Sequence, residues 1–126
     1  MEATLRNMMV NNAWIAAKVG ARVYYQSDEQ EDNNYKTKFP LITYAHISTK
    51  KWQGTKRARL YQITAWAKSY ESAREVAELI YGVFYQYRPE DGSFNYSDIN
   101  LLNSIYDNTA KVHGVAITLT VIERKN

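Results

Sequence analysis

Leu5, Met8, Met9, Asn12, Ile15, Ala16 and Val19 recur at steps of three and four, one apolar stripe with a single polar interruption, which predicts an amphipathic helix over 3–19. Gly20 follows Lys18 and Val19 and marks its stop, with a cation in the last turn. Ala21 to Tyr25 is a short β-prone run, and 26–38 is polar throughout, a long loop in which acidic Asp28, Glu29, Glu31 and Asp32 precede basic Lys36 and Lys38. Loops of that length are solvated and mobile or order against a partner. Pro40 then opens the β-branched and aromatic run Leu41-Ile42-Thr43-Tyr44-Ala45-His46-Ile47-Ser48, with the proline where a missing donor is tolerated. A second strand spans 58–67, and Gly54 supplies the turn of an antiparallel hairpin with a long basic tip.

Ser69 and Ser72 both offer N-caps, and Ser72-Ala73-Arg74-Glu75 fits a capping box. Ala73, Val76, Ala77, Ile80, Phe84 and Tyr87 continue on one helical face, with Gly82 placed for close packing over a sheet or for fraying near the helix end. Arg88-Pro89-Glu90-Asp91-Gly92-Ser93 stops that helix. Two further strands, 98–106 and 112–123, flank a turn at Asp107-Asn108; the last alternates cleanly, so one sheet face is expected under helix and the other partly wet. The predicted fold is α+β, a mixed or mainly antiparallel sheet of about four to five strands with two helices on one face, in the order α-β-β-β-α-β-β.

The chain has 126 residues, 45% apolar and 23% charged, which predicts one compact domain over 1–126 rather than a disordered chain. The absence of cysteine removes disulfides, thiol catalysis and cysteine-based metal sites together. His46 and His113 are far apart in sequence and form no metal-binding spacing, so no metal or cofactor is expected. The first residues lack a basic start followed by an apolar stretch, and no window approaches the roughly 20 apolar residues of a membrane span. A cytoplasm-like compartment is therefore expected, with the sequon Asn95-Tyr96-Ser97 accidental.

No phosphate-cradling glycine motif occurs among the five glycines. Both histidines fall in predicted strands, where packing or edge hydrogen bonding suits them better than acid–base work. The acidic residues of 28–32 have no apolar neighbours in sequence to raise a carboxyl pKa, so no catalytic residue is nominated. Net charge is +3, and tyrosine is over-used, 11 against 3 phenylalanines. Tyrosine combines apolar area with a polar tip and is favoured where a surface is buried against another chain. The candidate interface residues are the basic tip, Lys50, Lys51, Trp52, Lys56, Arg57 and Arg59, together with the charged loop residues Asp28, Glu29, Glu31, Asp32, Lys36 and Lys38. The RNA-recognition pattern of glycine and aromatics is missing; Tyr81-Gly82-Val83-Phe84 approaches it but lies in a predicted helix.

Phe39-Pro40-Leu41-Ile42-Thr43-Tyr44, then Leu60-Tyr61-Gln62-Ile63-Thr64-Ala65-Trp66-Ala67-Lys68-Ser69-Tyr70-Glu71-Ser72-Ala73, then Val112-His113-Gly114-Val115-Ala116-Ile117-Thr118-Leu119 resemble the tail completion or tail terminator proteins of long-tailed bacteriophages. The shared pattern is a proline-led strand, a strand ending in an aromatic, a Ser-Tyr-x-x-Ala helix start and a closing strand introduced by histidine, over 39–122. The resemblance implies a non-enzymatic virion component, assembled in the host cytoplasm, whose copies close into a ring, usually hexameric. Such a ring caps the head-proximal end of the tail tube, ends tube growth and offers a joining surface to the head. Its implied partners are other copies of itself, the major tail tube protein and a head completion or connector protein, with DNA only passing through the lumen. Two other readings stand beside it: a small basic nucleic-acid-binding module using 50–59, and a cofactor-free dimeric enzyme with a pocket between sheet and helices.

Overall fold

The computed structural model describes residues 1–25, 39–50, 54, 56–90, 94, 96–108 and 111–124. The elements are α1 (Glu2–Val10), α2 (Ala13–Val19), β1 (Val23–Tyr25), β2 (Leu41–Thr49), β3 (Lys56–Ala67), α3 (Tyr70–Phe84), β4 (Tyr96–Asp107) and β5 (Val112–Arg124). The strands form one sheet in the order β1-β2-β3-β5-β4; β1 runs parallel to β2 and every other pair is antiparallel. The α+β class, the mixed sheet and the helical layer on one face follow the sequence-based expectation.

Among the described residues three helices form that layer, against the two expected. The stripe expected to run unbroken over 3–19 is split at Asn11-Asn12, where the Asn12 side chain turns back to accept from the amides of Trp14, 3.0 Å, and Ile15, 3.1 Å. Asparagine gains more by capping a new helix than by continuing an old one. The apolar phase survives the break, so Leu5, Met9, Ile15 and Val19 all reach the core. Only Trp14, off the stripe, is left 73% exposed.

The central strands follow a two-residue alternation. Ile42 and Tyr44 of β2, Tyr61, Ile63, Ala65 and Ala67 of β3, and Val115, Ile117, Leu119 and Val121 of β5 face the helices. Ala73, Val76, Ala77, Ile80 and Phe84 of α3 close over them, and each large side chain removed from water contributes about 1.5–3 kcal/mol. The start of α3 sits one turn earlier than the capping box suggests. Ser69 is the cap, its Oγ accepting from the Ser72 amide at 3.3 Å. Glu75 is drawn to Lys18 of α2, 3.2 Å away, and forms no box with Ser72. Tyr87, expected on the apolar face of this helix, lies beyond its end and pairs with Ser97 of β4. Gly82 is exposed with open space around its Cβ position, so it is not there for close packing over the sheet.

Candidate functional site

The described residues at the end of the β2–β3 hairpin are exposed to solvent. His46, Ile47, Ser48, Thr49 and Lys50 are all exposed, as are Gly54 and Lys56, and Gly54 adopts the left-handed conformation, φ 63°, that suits a turn glycine. His46 places Nε2 2.6 Å from Thr49 Oγ1 and packs edge-on against the Tyr61 ring, which accounts for it by local packing. Lys50 and Lys56 form no ion pair among the described residues.

Arg57 and Arg59 differ from the lysines. Two residues apart on β3, they share a face, and the register sets Arg57 directly across from Glu123 of β5. Arg57 Nε donates to Glu123 Oε2 at 2.9 Å, a second guanidinium nitrogen also reaches that oxygen, and Arg59 Nε lies 3.1 Å from Oε1 in an ion-pair contact. Both arginine side chains are only 26% exposed. One carboxylate therefore holds two of the six cationic and aromatic tip residues nominated from sequence, and among the described residues Lys50 and Lys56 remain as outward charge. Lys51 and Trp52 lie outside the described residues, as do Asp28, Glu29, Glu31, Asp32, Lys36 and Lys38.

Beside this clamp, Tyr44 donates its hydroxyl to the Glu2 carbonyl at 2.9 Å, and burial pushes its pKa up to about 12 against the opposing pull of Arg6. The buried Tyr61 hydroxyl makes no well-aligned hydrogen bond among the described residues, and burial raises its pKa while Arg59 pulls it down. The open sheet face is organised by Trp66. Its Nε1 donates to Thr43 Oγ1 at 3.0 Å, and its ring lies so close over Gly114 that a Cβ there would sit 2.8 Å from the ring. Three of the segments that carry the phage-family resemblance, the proline-led strand, the aromatic end of β3 and the histidine-led start of β5, thus meet at one place. A concavity of about 240 Å³ nearby is lined by Phe39, Pro40, Ala67, Lys68, Ser69 and Ser72. A larger one of about 480 Å³ on the open face is lined by Gln62, Asn103, Ser104, Ile105, Ala116 and Thr118. Neither includes a histidine. His113 instead packs its ring 4.8 Å from that of Tyr106.

The two edges of the sheet are finished differently. At β1 the outward carbonyl of Val23 accepts from Arg6 Nε at 3.1 Å, which blunts a strand of three residues. At β4, twelve residues long, Tyr87 bridges Ser97 through two backbone hydrogen bonds of 2.8 and 3.0 Å, and a bulge follows between Ile99 and Leu102. Around the Tyr87 bridge gathers a group of tyrosines that sequence reasoning did not single out. Tyr81 and Tyr85 stack at 4.9 Å, and Tyr96 lies under the Arg88 guanidinium, 5.1 Å from its ring centre. Tyr85 is 47% exposed and Tyr87 37%. The signal was present in part as tyrosines at 81 and 85, an i, i+4 spacing that stacks two rings at the helix end, with Tyr87 added by the bridge beyond it.

Among the described residues no helix is long and apolar enough to cross a membrane, and no three metal-ligating side chains gather. No family model and no curated protein matches the chain. Among solved structures it is similar to a chain of the virion of a native gene transfer agent particle, with a TM-score of 0.74 at 10% sequence identity, over 98% of this chain and 94% of that one. At that identity the likeness is one of fold.

Proposed function

We propose that this chain is a structural protein of a phage-type virion, whose copies close into a ring at the head-proximal end of the tail tube, end tube growth there and offer the head its joining surface. The observation that carries the reading is the likeness of fold to a gene transfer agent virion chain, which spans nearly the whole of both chains. Its support from the sequence is the family pattern over 39–122, whose segments converge on the Trp66–Gly114–Thr43 contact. The ring would use a heterologous interface, in which two different patches of the same chain meet and the rotation closes. Six copies is the family number carried over with the resemblance.

The role needs shape and contact surface, not reactive groups, and we assign no catalytic residue. Position in the tail, the tube and head partners, and the passage of DNA through the lumen belong to the same reading. Negative-stain microscopy of the purified chain mixed with tail tubes tests it. Rings seated on one end of each tube are expected; tubes that keep both ends bare and continue to grow in the presence of the chain would overturn it.

A further inference from the structure

The tyrosine group beside the β4 edge and the exposed hairpin end have matching chemistry. Tyr85 and Tyr87 are exposed, and Tyr81, half-buried against the core, stacks on Tyr85 within electrostatic reach of the Asp98 carboxylate. β4 itself carries Asp98 and Asp107 and no lysine or arginine. The hairpin end offers Lys50 and Lys56, free of ion pairs among the described residues, and Ile47, which is 51% exposed. Aromatic faces attract ammonium groups, and tyrosine buries apolar area while its hydroxyl stays hydrated. The Arg88 guanidinium over Tyr96 already makes this kind of contact within the group. Within one chain β5 separates β3 from β4, and no contact joins Lys50 or Lys56 to the tyrosines among the described residues.

We infer that the hairpin end of one copy, through Ile47, Lys50 and Lys56, seats on the platform of Tyr81, Tyr85 and Tyr87 of a second copy. The pairing joins two different patches, so it is heterologous and can propagate around a ring; it rests on the ring reading above and supplies the contact that reading needs. The two sides divide the work: the aromatic platform supplies apolar area and ring faces, and the lysines supply a salt-dependent attraction.

The test uses two full-length variants, Lys50→Glu with Lys56→Glu to spoil the hairpin end, and Tyr85→Ala to spoil the platform. All three positions are exposed, and unchanged circular dichroism and melting temperature confirm that both variants fold. By sedimentation velocity and native mass spectrometry the unaltered chain is expected to assemble with rising concentration, and each variant alone to need at least about tenfold more protein. Mixed one to one, the variants are expected to form a dimer and nothing larger, because each mixed pair retains one intact contact. Variants that assemble like the unaltered chain, or a mixture that stays monomeric, overturn this contact and leave the ring reading standing. An unaltered chain that stays monomeric at millimolar concentration and forms no ring on tail tubes overturns both.

Discussion

Replacing Gly114 by alanine isolates the contact on which the open face of the sheet is built. The added Cβ would lie 2.8 and 2.9 Å from two carbons of the Trp66 ring and 3.2 Å from Thr64 Cγ2, well inside ordinary van der Waals contact. Gly114 is on β5, held by its pairing with Trp66 of β3 on one side and Ile105 of β4 on the other, so the backbone has little room to yield. The indole must retreat by about half an ångström, which forfeits part of its packing on the sheet. Overpacking of this kind costs about 1–3 kcal/mol. Stretching the 3.0 Å bond from Trp66 Nε1 to Thr43 Oγ1 adds about 1 kcal/mol. A destabilisation of about 2–4 kcal/mol follows, which for a domain of this size lowers the melting temperature by about 10 °C. Gly82→Ala is the control: the same atom added in open space on a helix is expected to stabilise by about 0.5–1 kcal/mol. In a Trp66→Phe background the smaller ring leaves space, and Gly114→Ala should cost less than about 1 kcal/mol there. Thermal and urea unfolding followed by circular dichroism measure all four. A Gly114→Ala variant that melts with the unaltered chain, or loses as much in the Trp66→Phe background, would refute the steric account.

Three other outcomes follow from the polar groups beside the hairpin. Tyr44→Phe removes a 2.9 Å bond to the Glu2 carbonyl and should cost about 1 kcal/mol, whereas Tyr61→Phe removes a hydroxyl with no well-aligned partner and should cost less than about 0.5 kcal/mol in urea titrations. The Tyr44 pKa is raised in the fold, from 10 to about 12, so the folded state holds a proton that the unfolded chain has lost; stability is intact below pH 10 and falls between pH 10 and 12, by about 2 kcal/mol, and Tyr44→Phe should flatten that decline in unfolding measured against pH. Glu123→Gln leaves Arg57 and Arg59 facing each other without their shared carboxylate and should cost about 1–2 kcal/mol, with a smaller loss at 1 M salt, where like-charge repulsion is screened.

Local pattern and tertiary register explain what the sequence could and could not disclose. The β2–β3 hairpin, the β4–β5 hairpin and the apolar face of α3 follow from two- and 3.6-residue periods, because burial of a face leaves that mark on every strand and helix. The Asn12 break was written in the sequence, yet the apolar stripe stays in phase across it, and phase was the stronger signal. Ser69 rather than Ser72 is the cap, and Glu75, which the box would use, instead meets Lys18, a partner distant in sequence. The hairpin tip shows the same limit. A run of cations reads as one patch until the register places Glu123 opposite Arg57 and separates the held arginines from the outward lysines. The tyrosine platform needs the Tyr87–Ser97 bridge to bring the end of α3 alongside β4, a contact no local pattern encodes.

Electron microscopy of tail tubes incubated with the chain measures the central claim most directly, by counting tube ends and the density seated on them. A closed ring of copies on one end of each tube, accompanied by arrest of tube length, is the predicted result. Bare ends with unchanged elongation, across concentrations that saturate the available tubes, would contradict it.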